Sequence, residues 1–221
     1  MKDNTNYAVI FDMDGVLVDS EPVINAAAIA GLKEFGVNAE PDDFTPFVGA
    51  GEDRYVGGVA EKYGLTYRKE MKKRVYDIYL DMVDEKLRVF KGVKKCLALL
   101  RDRGFSLALA SAADRIKIDA NLRVAGVSPD VFRVILSADD VKEKKPSPEM
   151  YLKTAKNLRI APEYCIVIED AVNGVKAAKR AGMMCIALTH TFSEQELITA
   201  GADDICSEMG EVCKTILGRQ R

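Results

Sequence analysis

The sequence predicts an α/β fold: a doubly wound, mostly parallel sheet with a small all-helical cap inserted after the first strand. Three observations carry that expectation. Short apolar runs recur without polar alternation, the pattern of strands covered on both faces. Amphipathic stretches with helix-end punctuation separate them, which calls for βαβ crossovers. One interval, between the first and second strands, is too long for a βα loop and holds no convincing strand.

The strand candidates are Ala8–Phe11, Phe105–Ala110, Val134–Leu136, Cys165–Ile168, Met184–Leu188 and a weaker Asp203–Ile205. Gly104, Gly126 and Gly182 follow the helical stretches Val93–Arg103, Asp114–Ala125 and Gly174–Ala181, each where a helix C-cap prefers glycine. Ser147-Pro148 opens Glu149–Arg159 as N-cap and N1, and Ser193-Glu194-Gln195-Glu196 reads as a capping box. The long interval reads as helices Glu21–Phe35, Asp53–Tyr63 and Tyr67–Glu85, with a turn at Asp42–Phe47. The expected organisation is therefore a core of residues 1–20 and 89–221 and a cap of residues 21–88. The cap's two connections, near Ser20 and Val89, would leave and re-enter the core close together and act as hinges.

Composition narrows the function classes. The 221 residues are 48% hydrophobic and 30% charged, the balance of a globular chain. A net charge of −2, from 32 basic and 34 acidic residues, gives no basic field for nucleic acid. No apolar run approaches the ~18 residues of a membrane span, and the N-terminus lacks the apolar stretch of a secretory signal. The five cysteines are odd in number, far apart and mostly in apolar runs. They read as reduced, buried thiols of a cytoplasmic protein, against a disulfide framework or a zinc site. With one histidine, His190, acid–base chemistry falls to carboxylates.

Polar residues gather where the strands end. The first strand gives Asp12-Met13-Asp14-Gly15, the second Ser111, and the fourth Glu169-Asp170. In an open α/β sheet the carboxyl ends share one rim, where ligands bind. Each motif has a plainer reading. Asp-x-Asp-Gly suits a turn, Ser111 an N-cap, Glu169-Asp170 a helix dipole, and Lys145 one of a solvated charge run. Together, however, four carboxylates on one rim repel and persist around a cation, and hard oxygen ligands without His or Cys select Mg²⁺. A lysine and a hydroxyl beside the ion would complete a cradle for phosphoryl oxygens.

The four motifs, in order FDMDGVLVDSEP, Ser111 after a strand, Lys145-Pro146 and VIEDAVNGVKAAKRAGM, resemble those of the haloacid dehalogenase superfamily across essentially the whole chain. More narrowly, the chain resembles its β-phosphoglucomutase-like branch, with a Rossmann-like core and a small helical cap after the first strand. The resemblance implies that Asp12 is a nucleophile forming an aspartyl-phosphate and Asp14 the general acid and base. It implies that Ser111 and Lys145 bind the phosphoryl group, and that Asp12, the Asp14 carbonyl and Asp170, supported by Glu169, hold Mg²⁺. An acid at Asp14 favours phosphoryl transfer over dehalogenation, since halide leaves unprotonated.

Ile24 stands where sugar-phosphate mutases of the branch carry a histidine, and the loop from Phe47 to Arg54 lacks their early basic residues. The expected activity is thus a Mg²⁺-dependent phosphatase acting on a small sugar or polyol phosphate, with a mutase or a phospho-receiver domain as alternatives. Gly49, Gly51, Arg54 and Ala112 are the substrate-binding candidates, Arg54 as an anion clamp or as a solvent-facing residue. Arg115 and Lys117 read as added positive potential at the rim or, equally, as a solvated helix face. A monomer is expected, with neither nucleic acid nor membrane as partner.

Overall fold

The computed structural model describes residues 6–219. In chain order the elements are β1 (Ala8–Phe11), β2 (Val18–Asp19), α1 (Glu21–Lys33), α2 (Glu52–Lys62), α3 (Lys69–Lys86), β3 (Arg88–Val89), α4 (Val93–Asp102), β4 (Ser106–Ala110), α5 (Arg115–Ala125), β5 (Val134–Leu136), α6 (Glu149–Leu158), β6 (Cys165–Glu169), α7 (Val172–Arg180), β7 (Met184–Leu188), α8 (Glu194–Ala200), β8 (Asp204–Cys206) and α9 (Met209–Gly218). A 3₁₀ turn spans Pro41–Phe47.

Six strands form one parallel sheet in the order β5-β4-β1-β6-β7-β8. The chain winds outward from β1 to one side, returns, and winds to the other, so the strand order reverses between β4 and β6, next to β1. Alternate strand residues face opposite layers. Val9, Phe11, Leu107, Leu109, Ile166 and Ile168 pack against α4, α5 and α9. Ala8, Ile10, Ala108, Ala110, Cys165 and Val167 pack against α6, α7 and α8. Both faces are covered, which is why the runs carry no alternation.

Helices α1 to α3 fall in the long interval, and their buried residues, among them Val23, Val56, Val75 and Tyr79, join the core of the first layer. The two connections to this segment pair as a short antiparallel ribbon, Val18 with Val89 and Asp19 with Arg88, and Phe90 N–H donates to the Leu17 carbonyl at 3.2 Å.

Two details differ from the sequence reading. Cys96 of α4 and Cys213 of α9 form a disulfide, with Cα atoms 6.0 Å apart. The two helices pack side by side on one face of the sheet, a contact that the 117-residue separation hides. Cys165, Cys185 and Cys206 are the buried free thiols. At α6, Pro148 takes the N-cap position rather than N1, and Ser147 Oγ accepts the Glu149 N–H at 3.3 Å, a shift of one residue. The Ser193 capping box forms as expected. Among the described residues, no helix is long and apolar enough to cross a membrane.

Candidate active site

Because all six strands run the same way, their carboxyl ends meet on one rim, and the reversal beside β1 opens a crevice there. Asp12 follows β1 and is tied to β6 by its N–H, which donates to the Ile168 carbonyl at 3.0 Å. Glu169 ends β6 and Asp170 follows it. All three are buried, and each offers an oxygen within 4.8 Å of the other two. Lys145 reaches the same point from the loop before α6. Its Nζ donates to Asp12 Oδ1 at 2.8 Å and to Glu169 Oε1 at 2.6 Å.

Glu169 is fully engaged. Its Oε1 also accepts the Tyr151 O–H at 2.8 Å, and its Oε2 accepts the N–H groups of Asp170 at 2.9 Å and Ala171 at 3.0 Å. Asp170 Oδ2 accepts the Thr191 hydroxyl. Asp12 Oδ2 and Asp170 Oδ1 accept no hydrogen bond from the described residues and are the oxygens left for a ligand. Burial lifts Asp12 to a pKa of about 7 against the pull of Lys145, and burial reinforced by Glu169 and Asp12 lifts Asp170 well above the usual carboxylate range. Burial opposes the Lys145 charge, yet Asp12 and Glu169 outweigh it and keep the ammonium protonated.

Three buried carboxylates facing one ammonium leave negative charge uncompensated, a costly arrangement without a cation. The donor set is all oxygen, the chemistry of a hard divalent ion. Two glycines make room for it. At Gly15, with φ of +75°, a Cβ would overlap the Asp170 carboxylate, and at Gly174 it would overlap that of Glu169. The residues present therefore fit a divalent metal.

Asp14 lies two residues beyond Asp12. Its Oδ1 accepts Asn121 Nδ2 at 3.5 Å and the Ser20 hydroxyl, and is ion-paired with Lys117 Nζ at 3.0 Å. Lys117 is not on a solvated face. It is 3% exposed and spans from Asp14 to Glu52 Oε1 of α2, at 2.9 Å, with Asp14 and Glu52 overcoming the penalty of burial to hold its charge. The pair Lys117 and Asn121, spaced i,i+4 beside the apolar Ile118 and Leu122, was the signal available in the sequence. Tyr151 carried no such signal, reading as ordinary core of α6. His190 packs on Phe90, ring centroids 4.0 Å apart, and its Nδ1 lies 2.7 Å from the Gly15 carbonyl, bracing the turn that admits Asp170.

The acidic cluster, Asp14 and the two buried lysines line a cavity that opens to solvent between the sheet rim and α1–α2. Gly49, Gly51 and Ala112 line it, as do Asp12, Asp14, Lys145, Glu169 and Asp170. Two expected residues do not. Arg54 is exposed, paired with Glu61 at 2.9 Å and lying over the Phe47 ring, because α2 turns that side chain outward. Ser111 is wholly buried behind the wall formed by Ala112 and Ala113, and its Oγ accepts the Ala113 N–H at 3.1 Å. Arg115 pairs with Asp119 on the surface.

Comparison with known proteins agrees with this geometry. The chain is 34% identical over 209 residues to the phosphorylated carbohydrates phosphatase of Thermotoga maritima, covering 88% of this chain and 91% of that one. It is 43% identical over 210 residues to the protein SUPPRESSOR OF QUENCHING 1, chloroplastic, of Arabidopsis thaliana, covering 93% of this chain but only 20% of that much longer protein. The crystal structure of β-phosphoglucomutase from Clostridium difficile superposes with a TM-score of 0.82 at 25% identity, over 93% of this chain and 92% of that one. Residues 9–188 match the haloacid dehalogenase-like hydrolases, and the chain belongs to that family.

Proposed function

We propose that the protein is a Mg²⁺-dependent phosphatase that hydrolyses a small phosphorylated metabolite, a sugar or polyol phosphate, through an aspartyl-phosphate on Asp12. The observation that carries this reading is Asp12 itself, buried at the switch point, held by Lys145 and set beside Asp170, with a second acid two residues on. Bound Mg²⁺, held by Asp12, Asp170 and the Asp14 carbonyl, would offset the charge of the phosphoryl oxygens.

Asp12 attacks phosphorus, the ester P–O bond breaks, and the departing alkoxide takes a proton from Asp14. Oδ1 of Asp14 faces Lys117, Asn121 and Ser20, which leaves Oδ2 to meet the leaving oxygen. A water then loses its proton to Asp14 and attacks the acyl-phosphate, releasing phosphate and Asp12. Lys145 balances the charge of Asp12 and of the transferring group throughout. Glu169, saturated by Lys145, Tyr151 and two backbone amides, holds Lys145 in place. Ser111, behind the wall of Ala112 and Ala113, accepts the Ala113 N–H and holds that turn rather than touching the phosphoryl group. Residues 21–88 act as the cap, opening about the β2–β3 ribbon to admit water after the alcohol leaves.

Hydrolysis is favoured over mutase chemistry because Ile24, an apolar residue, lines the cavity where an acceptor-positioning histidine would be needed. The test is turnover of p-nitrophenyl phosphate with Mg²⁺. Sustained release over many equivalents is expected. A single stoichiometric burst would instead mark a phospho-receiver and overturn the proposal.

A further inference from the structure

The side of the cavity away from Asp12 has its own chemistry. Glu52, in the first turn of α2, lines the cavity and is only 7% exposed. Its Oε1 is held by Lys117, whereas Oε2 is buried with no hydrogen-bond partner among the described residues. A buried carboxylate oxygen left unpaired is disfavoured, so this one has a vacancy for a donor. Glu21 adds a second carboxylate on the same wall, its Oε1 accepting the Tyr55 O–H at 2.7 Å.

The cations cannot offset this. Among the described residues lining the cavity, only Lys117 and Lys145 are basic, and each is already shared between two carboxylates. Arg54 is turned to the surface. A substrate reaching past Asp14 therefore meets hydrogen-bond acceptors and net negative charge, together with apolar Ile24, Phe47 and Val48. Hydroxyl groups satisfy such a wall, and a second phosphate or a carboxylate is repelled by it.

We infer that Glu52 is a specificity-determining residue whose free oxygen accepts a hydroxyl of the leaving alcohol, so that the site selects monophosphate esters of neutral, polyhydroxylated alcohols over esters bearing a second anionic group. The inference rests on the phosphatase reading above. It also moves specificity from Arg54, two positions along the same loop-to-helix segment, to a residue of opposite charge.

The experiment compares kcat/KM for sorbitol 6-phosphate and erythritol 4-phosphate with that for phosphoglycolate and fructose 1,6-bisphosphate, in wild type and Glu52→Gln, with p-nitrophenyl phosphate as a hydroxyl-free reference. Wild type is expected to favour the polyol esters at least tenfold. In E52Q that ratio should narrow at least tenfold, chiefly through a higher KM for the polyol esters. Equal or better use of the anionic esters by wild type overturns the inference, and this arm stands even where the variant does not fold. A ratio unchanged in folded E52Q also overturns it. Wild type that turns over p-nitrophenyl phosphate without favouring the polyol esters leaves the phosphatase reading standing, whereas wild type that turns over no ester at all removes both.

Discussion

The two walls of the cavity are built in opposite ways. On the sheet side, Asp12, Glu169 and Asp170 stand on or directly after parallel strands, and backbone pairing fixes their spacing before any side chain is placed. On the helical side, Glu52, Lys117 and Asp14 come from three separate segments and are joined by the buried Lys117 ammonium, with Asn121 of α5 also donating to Asp14. The first wall is a rigid charge trap suited to a phosphoryl group and its metal. The second is an ion-paired contact between α2 and α5, the arrangement expected where one part of a site must assemble and release. The proposed phosphoryl acceptor thus rests on one support, and the proposed selectivity, together with the acid Asp14, on the other, so substitutions can separate phosphoryl attack from alcohol recognition.

The largest effect is expected on the sheet wall. Asp12→Asn keeps shape but removes the proposed nucleophile, and kcat should fall by at least ~10³-fold, with Mg²⁺-dependent wild-type turnover as the reference. If instead the helical wall dominated catalysis, the loss would be small.

Lys117→Met sharpens the contrast from the other side. It strands Glu52 as a buried, unpaired carboxylate, a change of the kind that costs ~3–5 kcal/mol, and leaves the part-exposed Asp14 with only Ser20 and Asn121 as donors, read as a lowered urea midpoint. Glu52 already sits above its ordinary pKa because of burial, opposed mainly by Lys117, so losing the lysine pushes it further up.

Gly174→Ala probes the support of the metal-facing acids. Its Cβ would displace the Glu169 carboxylate, and the expected loss in Mg²⁺ affinity is ~10–100-fold, as for groups that orient metal ligands. Titration calorimetry with Mg²⁺ alone reads this without turnover.

The smallest effect lies in the helical segment, away from the cavity. The Lys62 ammonium, with the Glu40 N–H and the Tyr63 O–H, lowers Asp43 from an ordinary 3.8 to about 2. A lowered folded-state pKa stabilises the fold above the unfolded value and is lost as pH falls through the folded one. Asp43→Asn should therefore melt below wild type at neutral pH, with the gap closing between about pH 4 and 2. A gap constant across that range would contradict the assignment.

The same contrast explains what could be read in the sequence. Ala8–Phe11, Val134–Leu136 and Met184–Leu188 form strands with the bounds their apolar runs suggest, because burial on both faces leaves an unbroken signature. Asp12, Lys145, Glu169 and Asp170 meet because parallel topology brings strand ends together whatever their separation in the chain. The helical wall left only the i,i+4 spacing of Lys117 and Asn121 as a trace, for the converse reason. Lys117 looks like any helix-face cation until α2 docks over it, and Arg54 looks like an anion clamp until the rotation of α2 sends it outward. The Cys96–Cys213 bridge depends likewise on two helices packing side by side, a contact with no local trace.

The central claim is that Asp12 receives the phosphoryl group. Acid-quenching the enzyme milliseconds after mixing with a ³²P-labelled phosphomonoester and Mg²⁺, then mapping the labelled peptide, tests it most directly. Acyl-linked label is expected on the peptide carrying Asp12, and none in Asp12→Asn. Label on any other residue, or undiminished turnover with no label at all, would contradict it.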